Sequence, residues 1–179
     1  SYIQIKNSTS IDRKYYSNNT LKIIVSGLWQ PYYRYEDALE LKKLLENKKI
    51  NVDLSIMVGL FSANLDYKNE ILKNKDKFKL IEDESNPLSV LASNDIYIRT
   101  SSVDSFGLSI AEALSVGTFS YATNVCQRPK NSILFNVGDM QDLCLKIIKL
   151  IEDIESNKFI IPKCENDGFG KLEEIYKSI

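Results

Sequence analysis

The chain has 179 residues, 44% apolar and 26% charged, with a formal net charge of −1, which fits one folded domain and leaves little room for extended disorder. No cationic block exceeds short clusters such as Lys73-Asn74-Lys75, so the electrostatic footprint of a nucleic-acid binder is missing. Histidine is absent, which excludes Ser-His-Asp and Cys-His catalysis within the chain and removes the commonest metal ligand.

The opening residues, Ser1-Tyr2-Ile3-Gln4-Ile5-Lys6, do not look like a signal peptide, and no apolar run is long enough to cross a bilayer. The expected location is the cytosol, with a peripheral place at the inner face of the membrane open to a full-length protein. The start without Met suggests an excised fragment. Cys126, Cys144 and Cys164 are widely spaced and lack a C-x-x-C pair, so they read as reduced thiols rather than a disulfide framework or a zinc site.

Residues 1–20 read as a polar lead-in. Leu21 to Gly27 is a buried strand, because β-branched residues run together and a glycine ends them. From Tyr35 to Lys48 the apolar positions Ala38, Leu41, Leu44 and Leu45 recur at helical spacing. Val52 to Val58 returns to strand character and stops at Gly59. A polar helix near Asp66 to Asn74, a short strand at Phe78 to Ile81, a brief helix after Pro87 and a strand at Asp95 to Arg99 continue the rhythm. A helix beginning near Phe106 ends at Gly117, strands at Thr118 to Ala122 and Ser132 to Phe135 bracket a loop holding Arg128, and a helix from Met140 to Glu152 follows.

Strands and helices alternating at this spacing predict an α/β, Rossmann-like domain over 21–155, its parallel sheet covered by helices on both faces and its ligands at the strand carboxyl ends. Residues 156–179 form a C-terminal extension whose stripe of Phe169, Leu172, Ile175, Tyr176 and Ile179 predicts a terminal helix.

Between Ser105 and Gln127 the sole charged side chain is Glu112. Its helix is apolar on much of its circumference, so the carboxylate is costly there unless something pairs with it. Two partners stay open: an internal arginine, or the two vicinal hydroxyls of a ribose, whose donors match an acceptor-only group. Asp104 suits either an N-cap or a ligand contact. Gly107 in the first turn would let a phosphate approach free backbone N–H groups. Eight residues at helical rise put Asp104 and Glu112 roughly 12 Å apart, comparable to a diphosphate with a sugar at each end.

The stretch Asp104-Ser-Phe-Gly-Leu-Ser-Ile-Ala-Glu112, with Ala113 and Gly117 after it, resembles the C-terminal, donor-binding domain of family 4 retaining glycosyltransferases. These have two Rossmann-like halves (the GT-B fold) and usually carry E-x-F-G-x-x-x-x-E followed by A-x-x-x-G. Asp104, Phe106, Gly107, Glu112, Ala113 and Gly117 match, with Asp for the first Glu, and the order of elements agrees from Leu21 to about Glu152. The resemblance implies that Asp104 and the backbone after it contact the donor sugar, that Gly107 and Leu108 help bind sugar and diphosphate, and that Glu112 takes the ribose diol. It implies a nucleoside diphosphate sugar such as a UDP- or GDP-hexose as donor, no metal or cofactor, and a saccharide or lipid-linked acceptor held by a missing N-terminal domain, without which this half is inactive.

The sequence departs from the family in two places. Leu28 follows Gly27 where the family usually has Arg, and Arg34 stands near the position of the usual Lys. Arg99 and Arg128 both lie at strand carboxyl ends and could replace the lost diphosphate cation; each could equally pair with Glu112, Asp104 or a surface acid. The Arg99 strand and the Arg128-Pro129 loop look like those of capsular and exopolysaccharide glycosyltransferases. Asp104, Arg34 and Arg99 are therefore the expected catalytic residues, and Gly27, Phe106, Gly107, Leu108, Glu112, Arg128 and Glu82 the expected substrate contacts, Glu82 because its segment should approach the base. The aromatic loop Trp29 to Tyr33 faces either the acceptor side or its own core. The other reading of these departures is a degenerate, non-catalytic module that binds a partner.

Overall fold

The computed structural model describes residues 14–59, 61 and 63–162. The expected terminal helix, Cys164 and most of the lead-in lie outside the described residues. Six strands, β1 (Thr20–Gly27), β2 (Asn51–Val58), β3 (Lys79–Glu82), β4 (Ile96–Arg99), β5 (Phe119–Thr123) and β6 (Ile133–Phe135), form one sheet in the order β3-β2-β1-β4-β5-β6. Every pairing is parallel. Among them run helices α1 (Tyr35–Asn47), α2 (Leu65–Leu72), α3 (Pro87–Ala92), α4 (Leu108–Ser115) and α5 (Met140–Glu155). None of the described helices is long and apolar enough to cross a membrane.

Alternation along the strands divides the core in two. Ile23 and Val25 of β1, with Ile96 and Ile98 of β4, join the buried faces of α1 and α5 in one cluster. Ile24 and Tyr97 point the other way, into a cluster with Leu91 of α3 and Ile110, Ala113 and Leu114 of α4. Both faces of the sheet are thus covered, as the apolar strands required. Each fully buried leucine or isoleucine contributes on the order of 1.5–3 kcal/mol of burial.

Strand order reverses between β1 and β4, so the chain leaves their carboxyl ends in opposite directions and opens a crevice there. Register brings the rim of this crevice level. Gly27 pairs with Val58 at the end of β1 and β2, and Val25 pairs with Ile98.

One boundary differs from expectation in a way that matters. Helix α4 starts at Leu108, and Gly107 is its N-cap residue at φ 83°. Phe106 and Gly107 therefore precede the helix, and only the part of the Asp104 to Glu112 span from Leu108 onward is helical, so the 12 Å separation inferred from helical rise does not apply. Gly117 closes the helix at φ 78°, as expected, and its carbonyl accepts from the Tyr15 hydroxyl at 2.6 Å.

Candidate functional site

A cleft of about 420 Å³ occupies the crevice, lined at the end of β1 by Ser26, Gly27 and Leu28, at β4 by Arg99, and at the starts of α3 and α4 by Pro87 and Ser109. That size suits a small-molecule ligand. A second cleft of similar volume lies between α5 and the β5–β6 edge, lined by Tyr121, Ile133, Leu145 and Leu150 among others. It is away from the strand carboxyl ends and from every residue the motif singles out.

The first cleft has a buried cationic wall. Asp104 accepts from Arg99 twice, Nε to Oδ2 at 2.9 Å and Nη2 to Oδ1 at 3.0 Å. Arg128 Nη1 donates to the same carboxylate at 2.6 Å, Ser101 Oγ at 3.1 Å and the Ser105 N–H at 2.9 Å. The side chains of Arg99, Asp104 and Arg128 are 11%, 7% and 1% exposed, so two guanidiniums and one carboxylate leave one net positive charge in a nearly dry setting. Burial pushes the Asp104 carboxyl up, but its contacts with Arg99 and Arg128 outweigh that and hold it well below the usual carboxylate range. Burial likewise works against the charge on Arg99, while the hydrogen-bonded carboxylate of Asp104 favours it, and the net direction is upward.

This geometry changes the expected role of Asp104. Its acceptor sites are filled by the protein itself, so it neither caps α4 nor has capacity left for a sugar hydroxyl; it positions the two arginines. Arg128 is equally committed, with Nε to the Thr123 carbonyl at 2.9 Å and Nη2 to Thr123 Oγ1 at 3.1 Å. Arg99 is different. Nη1 donates to the Ser26 carbonyl at 3.0 Å, Tyr33 lies against the same guanidinium, and with five N–H groups in all Arg99 keeps donor capacity at the cleft that it lines.

Gly107 is required by this wall. A Cβ at its positive φ would come within 2.6 Å of Ile110 Cδ1 and 3.0 Å of Arg128 Nη1. No side chain caps α4; the Ile110 N–H bonds the Gly107 carbonyl at 3.0 Å, so the N–H groups of Leu108 and Ser109 are the ones available to an anion. Leu108 is exposed at the head of the helix, and Phe106 is half-buried before it.

Glu112, half-buried on α4 one turn beyond Ser109, has no ion pair or hydrogen bond to its carboxylate among the described residues, and burial alone pushes its pKa up. The internal arginine that would have explained it is absent, because both candidates sit on Asp104. Glu112 is outside the cleft lining itself; residues three apart share a helix face, which places it on the continuation of the Ser109 wall.

The remaining expected contacts are dispersed. Arg34 Nε and Nη2 clasp Asp37 at 2.7 and 2.8 Å, and Nη2 lies beside Gly138, so the structure does not bring Arg34 to the cleft lining. Glu82 pairs with Lys68 at 3.0 Å and is 40% exposed; its neighbour Glu84 reaches the cleft instead. A Cβ on Gly27 would fall inside the Tyr33 ring, so the protein's own aromatic fills the space the resemblance gave to a ligand. Tyr33 in turn lies under the Arg99 guanidinium at 4.7 Å, and Trp29 is buried edge-on to Tyr35 at 5.6 Å, so this loop packs largely on its own core. Tyr33 and Glu84 belong to the aromatic loop and the acidic segment 81–84 that the sequence sets near the ligand, whereas Ser26 and Ser109 carry no such signal, although strand alternation does put Ser26 on the face of Tyr97 and Arg99.

Comparison with known proteins agrees with this fold. The family described as "Glycosyl transferases group 1" matches residues 8–166. Among solved structures, TarM superposes with a TM-score of 0.68 at 18% identity, over 88% of this chain and 32% of that one. HepE from Anabaena, solved in complex with UDP, gives 0.64 at 20% identity over 75% of this chain and 40% of that one. A mutant of S. aureus TarM in complex with fondaparinux, alpha-GlcNAc-glycerol and UDP gives 0.67 at 17% over 86% and 32%. At these identities the likeness is one of fold, and the chain spans about a third of TarM and two fifths of HepE. No sequence among the curated proteins matches significantly.

Proposed function

The chain belongs to the glycosyl transferases group 1 family, and on that premise we propose that it is the donor-binding part of a retaining, family 4 type enzyme that moves a hexose from a nucleoside diphosphate to a saccharide acceptor. The observation that carries this reading is the bare, half-buried carboxylate of Glu112 beyond an uncapped helix start. An acceptor-only group in that state gains most from two vicinal hydroxyls, and the ribose of the donor supplies them.

The diphosphate then lies over the first turn of α4. There the first helix N–H groups and the Arg99 guanidinium stabilise the charge that grows on the leaving group, which is electrostatic preorganisation in a site already shaped for it. Asp104 and Arg128 act through Arg99, Gly107 gives the backbone its approach, and no metal or cofactor is assigned. The departing phosphate oxygen takes the acceptor's proton, so the absence of histidine is no obstacle. The acceptor, saccharide or lipid-linked, is held by a further domain, and the reaction serves bacterial surface polysaccharide synthesis on the cytoplasmic side, a reading supported by the likeness of the Arg99 strand and the Arg128-Pro129 loop to those of capsular and exopolysaccharide glycosyltransferases.

A second reading has an observation of its own. Leu28 lines the cleft where the family's arginine would stand, and Arg34 is spent on Asp37, as expected of a degenerate module that binds a partner. Isothermal titration with UDP, GDP and their hexoses separates the two: the donor reading expects sub-millimolar binding of one pair, and no binding at millimolar ligand counts against it. In the full-length protein, Leu28→Arg should leave a degenerate site inactive.

A further inference from the structure

The strand that ends in Arg99 contains a tyrosine the site has not yet used. Tyr97 is fully buried, among Ile24, Leu91, Ile110 and Leu114. A buried tyrosine needs a partner for its hydroxyl, and Tyr97 has two. Its Oη lies 2.9 Å from Ser26 Oγ and 2.7 Å from Ser109 Oγ. Both serines line the cleft, one from the end of β1 and the other from the first turn of α4, whereas Tyr97 lies behind them. By contrast, the equally buried Tyr35 hydroxyl has no partner among the described residues.

Counting protons shows what this chain of hydroxyls does. Three O–H groups carry three protons, and the two oxygen–oxygen contacts use two. Tyr97 is shut off from solvent and has no third partner among the described residues, so its own proton must sit in one of the two contacts. One serine proton is therefore always left over, on Ser26 or on Ser109. An anion at the uncapped start of α4, where the helix end favours negative charge, draws the sequence into one order: Ser26 donates to Tyr97, Tyr97 to Ser109, and Ser109 to the anion. Each bond in such a chain polarises the next.

We propose that Tyr97 is a positioning residue that fixes and polarises the Ser109 hydroxyl toward a phosphate oxygen of the nucleoside diphosphate, while tying the end of β1 to the start of α4. This rests on the donor-binding reading above. The test is calorimetric titration of UDP and GDP, in parallel, into the wild-type chain, Tyr97→Phe, Ser109→Ala and the double variant, with uridine and guanosine as phosphate-free probes. Loss of the Ser109 hydrogen bond to a charged phosphate oxygen corresponds to about tenfold to a hundredfold weaker diphosphate binding, and loss of the neutral Tyr97 bond behind it to about threefold to tenfold. Those losses are expected in the respective single variants, with no loss in the double variant beyond that of Ser109→Ala, recovery in Ser109→Thr, and unchanged nucleoside binding. Wild-type diphosphate affinity in Tyr97→Phe, additive losses in the double variant, or an equal loss for the nucleosides would overturn the proposal while leaving the donor site standing. Wild-type chain that binds neither diphosphate would sink both. Should Tyr97→Phe fail to fold, Ser109→Ala still decides, since retention of full diphosphate affinity there contradicts the proposal.

Discussion

Asp104 and Glu112 lie eight residues apart around one helix, yet the protein treats them in opposite ways. Asp104 receives five hydrogen bonds, two guanidiniums among their sources, and is held ionised. Glu112 receives none and is pushed toward its neutral form. A saturated carboxylate secures structure, whereas a bare, half-buried one carries a desolvation cost that no protein group among the described residues offsets. The motif treats both as ligand contacts; the structure assigns the first to holding Arg99 and Arg128, and the proposed function gives the second to ribose.

The strongest way to break this contrast is to remove the saturated charge. Asp104→Asn leaves two nearly dry guanidiniums facing each other, and breaking a buried pair in this way costs about 3–5 kcal/mol; urea denaturation should register it, and a loss under about 1 kcal/mol would mean that water already serves these arginines. Next comes the backbone that makes room for Arg128. Gly107→Ala should cost about 1–3 kcal/mol from its left-handed φ, read as a fall in the urea midpoint.

The smallest effect sharpens the contrast through pH. Because the folded-state pKa of Asp104 is depressed, its contribution is complete above the ordinary carboxylate range and disappears as pH falls through the range below it. Glu112 has the opposite sign. Its folded-state pKa is raised above the ordinary 4.5, so the native state binds more protons just above that value and stability declines as pH rises through that window, then levels off. Glu112→Gln should remove this decline and leave the fold at neutral pH as stable as wild type or slightly more so. Unfolding of this variant instead would show that Glu112 has a structural partner after all.

The sheet is readable because β1, Leu21 to Gly27, is an apolar, β-branched run closed by a glycine, because β4 is an apolar run closed by Arg99, and because α1 and α5 keep an apolar stripe. The start of α4 was misread by two residues, since a glycine at positive φ serves as cap just as readily as it fits a first turn. The partners of Asp104 could be narrowed to a few arginines but not chosen, because Arg128 is 24 positions away and only the fold brings it near. Tyr97 and Ser26 are further apart still, at 71 positions, and nothing local in either segment announces their contact. Arg34 failed to reach the cleft lining for a local reason: Asp37, one helical turn on, offers it a bidentate match.

The central claim, that Glu112 holds the ribose diol, is met most directly by titrating UDP and GDP together with their 2′,3′-dideoxy forms into wild-type and Glu112→Gln chains. The account predicts that the substitution weakens the ribose-containing diphosphate about tenfold to a hundredfold, the worth of a charged hydrogen-bonded contact, and barely changes the dideoxy form. Equal losses for both, or none for either, would contradict it.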